Sequence, residues 1–259
     1  MKKKKVALVL SGGSALGFAH IGVIKVLLEY GVPIDIVVGT SMGGLIGAVY
    51  ASGMSVDNMI SLACRFRKIN FFDINFNTSG LFSGRGIMRT ICKFLPDKDI
   101  SELDVKYACV SCDLLTESQV VISHGSIRDA VRSTVSIPGF FVPMFNEDEV
   151  LVDGGVINNL PDDVAKKMGA DIIVSCDVLK NCRMLDVPSS IFETLVYSMN
   201  TLSKTMQKYK GNCSDIILEP DLTGLTQMSF GRANTIELVH RGEDVAYKNI
   251  KKILRLINT

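Results

Sequence analysis

The sequence predicts an α/β fold with a mostly parallel sheet, and a single domain over residues 1–259. Two apolar runs of strand length, at 6–10 and 34–38, are each followed by a glycine-containing turn and then by apolar residues at helical spacing. Strands that alternate with helices indicate a parallel sheet. With 47% hydrophobic residues, and with no repeat or linker, the chain is long enough to bury one large core.

A glycine-rich turn follows the first strand and contains Gly12, Gly13, Ser14 and Gly17. Backbone N–H groups between a strand and a helix point outward, where the helix dipole favours an anion. A nucleotide-phosphate loop lacks support, because no Lys-Ser/Thr pair follows and Ser14 replaces the third glycine of the dinucleotide motif. We therefore expect an oxyanion hole formed by the N–H groups of Gly12, Gly13 and Ser14.

A Gly-x-Ser-x-Gly pentapeptide, from Gly39 to Gly43, follows the second strand and precedes a helix that begins near Leu45. Strand, sharp turn and helix form the context in which this pattern indicates a nucleophile elbow. The two glycines keep side chains away from the crossing backbone, and Ser41 is expected in a strained conformation with its hydroxyl exposed. The alternative is a glycine-rich turn with a chance serine.

The following segments continue the alternation of helices and strands. An aromatic segment at 70–77 is predicted as a loop, either a lid that contacts an acyl chain or a loop buried against the domain. The segment 136–143 contains two prolines, and we expect an extended pocket wall. Periodicity and composition predict helices at 54–67, 87–94, 126–134, 162–168, 188–209 and 232–257, and strands at 107–112, 119–123, 149–153, 171–177 and 214–219.

A strand that ends on Asp153 is followed by Gly154 and Gly155. Carboxylates at the carboxyl ends of parallel strands face the crevice in which open α/β sheets place their sites. A turn or capping aspartate is the alternative for this residue alone. Because Ser41 and the Gly12 turn are also expected at carboxyl ends of strands, the catalytic interpretation is preferred.

A serine hydroxyl needs a base to take its proton, and the usual base is histidine. The chain has three histidines: His20 in the first helix, His124 at a strand end and His240 in the last helix. None has the placement after the last strand that an α/β-hydrolase uses. Asp153 is therefore the predicted base, in a dyad with Ser41.

Charge and composition argue against several classes of protein. A net charge of +1 gives no basis for nucleic-acid binding, and no apolar segment near the start resembles a signal peptide. The basic run Lys2–Lys5 is expected to be solvated, with weak attraction to an anionic membrane surface as the alternative.

The seven cysteines indicate reduced, buried thiols of a cytoplasmic protein. Cys109 and Cys112 lie in a predicted strand and point to opposite faces, so neither a zinc site nor a redox site is expected.

The three motifs together resemble those of bacterial patatin-like phospholipases. The similarity rests on 12–17, on 39–43 and on 153–155, with 136–143 and 158–161 in support, and it extends over nearly the whole chain. The resemblance implies a three-layer α/β/α fold, a Ser41–Asp153 dyad and hydrolysis of acyl esters of lipids, of the phospholipase A or lysophospholipase type, without a metal or cofactor.

Two positions depart from the family pattern: Ser14 stands where a glycine is usual, and Leu16 where the family has Arg or Lys. A positive φ at Ser14 would cost about 1 kcal/mol, and the loss of a cation at Leu16 removes a charge beside the anion site. Two alternatives to a phospholipase therefore stay open. They are a short-chain carboxylesterase and a low-turnover regulatory or scaffolding protein that retains the fold.

Overall fold

A computed structural model describes residues 4–66, 73, 79–146, 148–182, 187–188 and 190–258. The predicted aromatic loop at 70–77 lies outside the described residues, except for Asp73. Within the described residues, no helix is long and apolar enough to cross a membrane.

The described strands form one eight-stranded sheet in the order β5-β6-β3-β2-β1-β7-β8, with β4 paired to β3. Parallel pairing joins β3, β2, β1, β7 and β8, so the prediction of a mostly parallel sheet is confirmed. The remaining strands, β4, β5 and β6, pair in antiparallel fashion. The strands are β1 (Val6–Leu10), β2 (Ile36–Thr40), β3 (Lys106–Asp113), β4 (Ser118–Ile122), β5 (Met144–Phe145), β6 (Val150–Asp153), β7 (Ile172–Cys176) and β8 (Ile216–Leu218).

Helices cover both faces of the sheet. Leu8, Leu10 and Val37 belong to the larger core cluster, whereas the alternate residues Ala7 and Val9 pack on the other face against α6. Buried strands between two helical layers give the three-layer arrangement. The helices are α1 (Ala19–Glu29), α2 (Met42–Ala51), α3 (Val56–Arg65), α4 (Arg85–Ile91), α5 (Ile127–Thr134), α6 (Asp162–Lys167), α7 (Ile191–Lys210) and α8 (Arg232–Asn258).

Three local expectations are corrected. The chain after Gly13 first forms a 3-10 turn, Ser14–Phe18, before α1 begins. The segment 136–143 is not extended throughout, because Phe140 N–H donates to the Ile137 carbonyl across a turn in which Gly139 has φ +78°. The described cysteines are all free thiols, but only Cys109, Cys112 and Cys176 are buried, while Cys92 is exposed.

The most consequential correction concerns β6, which carries Asp153. This strand runs antiparallel to β3, with Asp153 opposite Ser111, and does not belong to the parallel set. The β3 strand extends past the end of β2, where Thr40 pairs with Val110. The β6 strand thus runs toward the carboxyl end of β2 along the same edge of β3, and Asp153 lies next to the residue that follows Thr40.

Candidate active site

Ser41 occupies a sharp turn between β2 and α2, as the Gly-x-Ser-x-Gly pattern predicts. Its backbone has φ +53° and ψ −123°, outside the regions that non-glycine residues ordinarily adopt. A Cβ at Gly39 would overlap the backbone of Gly43 and Gly44, and a Cβ at Gly43 would overlap the Leu10 carbonyl. The two glycines are therefore required by the close approach of α2 to the ends of β1 and β2.

Thr134, the last residue of α5, holds this strained turn. The Ser41 N–H donates to the Thr134 hydroxyl at 2.9 Å, and that hydroxyl donates to the Val110 carbonyl at 2.5 Å. Thr134 is fully buried, so neither bond competes with water. The backbone of the serine is fixed by a side chain that the sequence analysis did not identify.

Asp153 lies beside Ser41 and is 2% exposed. Burial raises the pKa of this carboxyl to about 6, although hydrogen bonds from the Ser41 hydroxyl and from the Gly155 N–H oppose the shift. The Gly155 N–H donates to Asp153 Oδ1 at 2.8 Å, and the Asp153 N–H donates to the Ser136 carbonyl at 2.9 Å. The carboxyl is thus oriented toward the serine and is a much better proton acceptor than an exposed aspartate.

The glycine-rich turn after β1 contributes backbone N–H groups to the same place. The Gly12 N–H donates to the Asn159 carbonyl at 3.2 Å, and Asn159 Nδ2 donates back to the Gly12 carbonyl at 3.3 Å. By contrast, the N–H groups of Gly13 and Ser14 have no hydrogen-bond partner among the described residues. Ser14 adopts φ +52°, the positive value expected where the family has glycine.

These elements surround one pocket in the described part of the chain. Gly13, Ser14, Ser41 and Asp153 line it on one side. Its other side is formed by α7 and neighbouring loops, through the residues Ile137, Leu179, Val196, Met199, Asn200, Ser203 and Gln227. The sequence predicted the helix at 188–209, but its place over the pocket follows from the tertiary fold, and no local pattern signals it.

All three histidines lie in the described part of the chain, and none lines this pocket. His20 is buried, its Nε2 lies 2.8 Å from the Ser11 carbonyl, and burial lowers its pKa to about 4. It therefore orients the turn after β1 as a neutral donor. His124 and His240 are exposed. Separately, no three His, Cys, Asp or Glu side chains of the described residues come together as a metal site.

The chain is similar in sequence to proteins of animals and fungi. It is 37% identical over 181 residues to patatin-like phospholipase domain-containing protein 6 of Homo sapiens, covering 67% of this chain and 13% of that protein. It is 36% identical over 181 residues to lysophospholipase nte1 of Aspergillus fumigatus, covering 68% and 12% respectively. The chain thus spans about an eighth of the length of these curated relatives.

Two solved structures share the fold. VipD from Legionella pneumophila superposes with a TM-score of 0.56 at 15% identity, covering 99% of this chain and 67% of that one. The type III effector ExoU gives a TM-score of 0.50 at 11% identity, covering 97% and 53%. The family model described as patatin-like phospholipase matches residues 8–166, more than half of the chain. The chain therefore belongs to the patatin-like phospholipase family.

Proposed function

We propose that the chain is a serine acyl hydrolase that cleaves carboxylic ester bonds of lipids, of the phospholipase A or lysophospholipase type. One observation carries the proposal: Ser41 and the buried carboxyl of Asp153, whose pKa is raised to about 6, line one pocket together with the Gly13 and Ser14 amides, which have no partner among the described residues. The names of the human and fungal relatives support a lipid ester as the substrate.

The proposed steps use groups of this chain and water. Asp153 takes the proton of Ser41 while Oγ bonds to the ester carbonyl carbon, and the carbonyl oxygen becomes an oxyanion that the Gly13 and Ser14 N–H groups bind. The intermediate then expels the alcohol, which takes the proton from Asp153. Water attacks the acyl-enzyme in the same way, giving the fatty acid and free Ser41. Gly12 is not one of these donors, because its N–H is hydrogen-bonded to the Asn159 carbonyl.

A substrate panel tests the proposal: phospholipids, lysophospholipids and p-nitrophenyl esters of increasing chain length, hydrolysed by the wild type and by Ser41→Ala. We expect turnover of long-chain lipid esters that depends on Ser41. Turnover confined to short esters would indicate a carboxylesterase instead. Labelling of Ser41 by a fluorophosphonate without turnover of any ester would indicate the regulatory or scaffolding alternative, which Ser14 and Leu16 motivate.

We further propose that residues 1–259 act as one acyl hydrolase domain, since one continuous sheet joins the described strands from β1 to β8. Membership of the bacterial branch of the family stays a prediction from the sequence motifs.

Gly13→Ala is expected to lower turnover about a hundredfold, because a Cβ at this position would overlap Val178 and turn the N–H away from the oxyanion. The loss should appear in kcat on a short-chain ester. The double variant Gly13→Ala/Val178→Ala gives the added methyl room and should recover most of the activity. A single variant that folds and keeps wild-type kcat would contradict the role of Gly13.

Thr134→Val is expected to lower kcat at least about tenfold and the free energy of unfolding by about 1–3 kcal/mol, because it leaves the Ser41 N–H and the Val110 carbonyl unpaired in the interior. Since Thr134 touches the turn and not the substrate, KM should stay nearly constant. Thr134→Ser keeps the hydroxyl and should retain activity. Retained activity in Thr134→Val together with a loss in Thr134→Ser would show that packing of the methyl group, not the hydroxyl, is what matters.

A further inference from the structure

The outer face of α7 is apolar and exposed. Five large side chains recur at spacings of one helical face and remain accessible, although the helix is part of the folded domain. They are Ile191 (80% exposed), Leu195 (37%), Leu202 (57%), Met206 (46%) and Tyr209 (82%). An exposed apolar stripe of this kind marks a surface that binds a partner.

The hydroxyls beside this stripe are satisfied without water. Each hydroxyl donates to the backbone carbonyl four residues earlier in the chain, at 2.8–3.1 Å. The residues are Thr194, Ser198, Thr201 and Thr205. Because these four hydroxyls do not depend on solvent, they can enter an apolar phase without becoming unpaired. The phenol of Tyr209, 82% exposed at the end of the helix, is suited to the polar headgroup region. This property suits a lipid surface as the occupant.

The charge of the helix selects the kind of lipid surface. From 194 to 210 the sequence contains Lys204, Lys208 and Lys210 and no acidic residue. Lys210 is paired with Asp162 and Asp163, whereas Lys208 is exposed. Lys204 is half-buried and donates to the Cys182 carbonyl at 2.8 Å, so Lys208 is the exposed lysine of this segment. An amphipathic helix with an exposed lysine beside an apolar stripe is suited to lie in the headgroup region of an anionic membrane.

The inner face of the same helix closes the pocket. The Ser203 hydroxyl donates to the Gly155 carbonyl, two residues from Asp153, and Asn200 and Gln227 exchange two amide hydrogen bonds of 2.9 Å each. The C-terminal end is held more firmly, since Lys210 Nζ bonds to Asn158, to the Leu160 carbonyl and to Asp162. In the middle of the helix Lys204 Nζ also donates to the Cys182 carbonyl at 2.8 Å. These separate bonds in the middle and the three bonds of Lys210 at the end suit a rotation about the Lys210 end.

We propose that α7 is a lid that docks by its outer face on an anionic lipid surface, and that docking draws its inner face off Gly155 to admit a lipid acyl chain. This proposal rests on the proposed function, because it makes a lipid layer both the docking partner and the source of substrate. It goes beyond that function because it names the surface of the protein that binds the lipid layer before any ester bond is cleaved.

Sedimentation with vesicles tests docking without requiring activity. We expect the wild type to bind vesicles of equal phosphatidylcholine and phosphatidylglycerol more strongly than phosphatidylcholine alone. Leu202→Asp should weaken that binding at least about tenfold, because it replaces apolar area that would be buried in lipid. Leu28→Asp is the matched control: Leu28 is 42% exposed at the end of α1 and does not belong to the stripe. Equal binding by Leu202→Asp and the wild type would overturn the proposal.

A second copy of the chain is the competing occupant of the stripe. If sedimentation equilibrium shows a dimer that Leu202→Asp dissociates, and the wild type does not bind the vesicles, the stripe is a subunit interface and the proposal is wrong.

Opening is tested by the rate at which a fluorophosphonate labels Ser41. Mixed anionic vesicles should accelerate labelling of the wild type several-fold and leave Leu202→Asp unchanged, while both label equally without lipid. Vesicles that bind the wild type but do not accelerate labelling would overturn the lid. No labelling under any condition would instead refute the Ser41 nucleophile, and sedimentation would still decide the docking surface.

Discussion

Replacing Ser41 with alanine is expected to lower hydrolysis of every ester by about four orders of magnitude or more, because the proposed acyl-enzyme forms on the Ser41 hydroxyl beside the Asp153 carboxyl. Asp153 and the amides of Gly13 and Ser14 remain in the pocket of this variant. In the proposed mechanism, however, these groups only assist the attack of the serine on the ester. Fluorophosphonate labelling should disappear together with turnover. Because alanine keeps a small side chain in the turn, the circular dichroism spectrum should be unchanged.

The control for this variant is Ser52→Ala, which alters the residue that follows α2 and should retain wild-type rates. Turnover of lipid esters by Ser41→Ala at the wild-type rate would show that the nucleophile lies elsewhere. Loss of labelling with retained turnover would point to a reaction in which water attacks directly and Ser41 is only a neighbour of the site.

The elbow was predictable because its requirements are local. Strand, turn and helix follow one another within a few residues, and the glycines are needed where α2 passes the ends of β1 and β2. The mostly parallel sheet was predictable for the same reason, because apolar runs followed by helical periodicity indicate parallel strands. Positive φ at Ser14 likewise follows from its place in a glycine-rich turn.

The direction of β6 was not predictable by the same means. A strand of four residues that ends on a polar residue has the same pattern whether it runs with or against its neighbour, and pairing with β3 is decided by tertiary contacts. The proposed role of Asp153 as the base does not depend on that direction. What places Asp153 near Ser41 is the register, with Asp153 opposite Ser111 and Thr40 opposite Val110.

Contacts between distant segments explain the remaining differences. Asn159 engages the Gly12 N–H, and Thr134 engages the Ser41 N–H, over separations of more than ninety residues. No composition or spacing signals such bonds, because any nearby oxygen would satisfy a buried N–H. The same holds for α7, whose amphipathic sequence predicts a helix but not that its inner face closes the pocket.

Replacing Asp153 with asparagine is expected to remove nearly all hydrolysis while the fold is retained. An amide has nearly the shape of the carboxylate but cannot take the Ser41 proton as a base. Folding should not suffer, because burial raises the pKa of Asp153 from 3.8 to about 6. The folded state therefore binds the proton more readily than the unfolded state, and stability falls as pH rises between these values. At about pH 8 the variant should melt no lower than the wild type.

The pH dependence of the wild type gives an independent test of the same base. Asp153 must be ionised to accept the proton, so kcat/KM on a short-chain ester should rise with pH and reach a plateau above about pH 6, the pKa that burial imposes. His20 predicts a different profile, because burial lowers its pKa to about 4 and a neutral imidazole would already be available below that plateau.

The decisive comparison sets Asp153→Asn beside His20→Gln, His124→Gln and His240→Gln on one ester, after circular dichroism confirms that each variant is folded. His124 and His240 are exposed and outside the pocket, so their replacement should cost little. His20→Gln is expected to show a moderate loss, because the ring holds the Ser11 carbonyl next to the oxyanion turn. An active Asp153→Asn together with an inactive histidine variant would replace the serine–aspartate dyad with a serine–histidine mechanism.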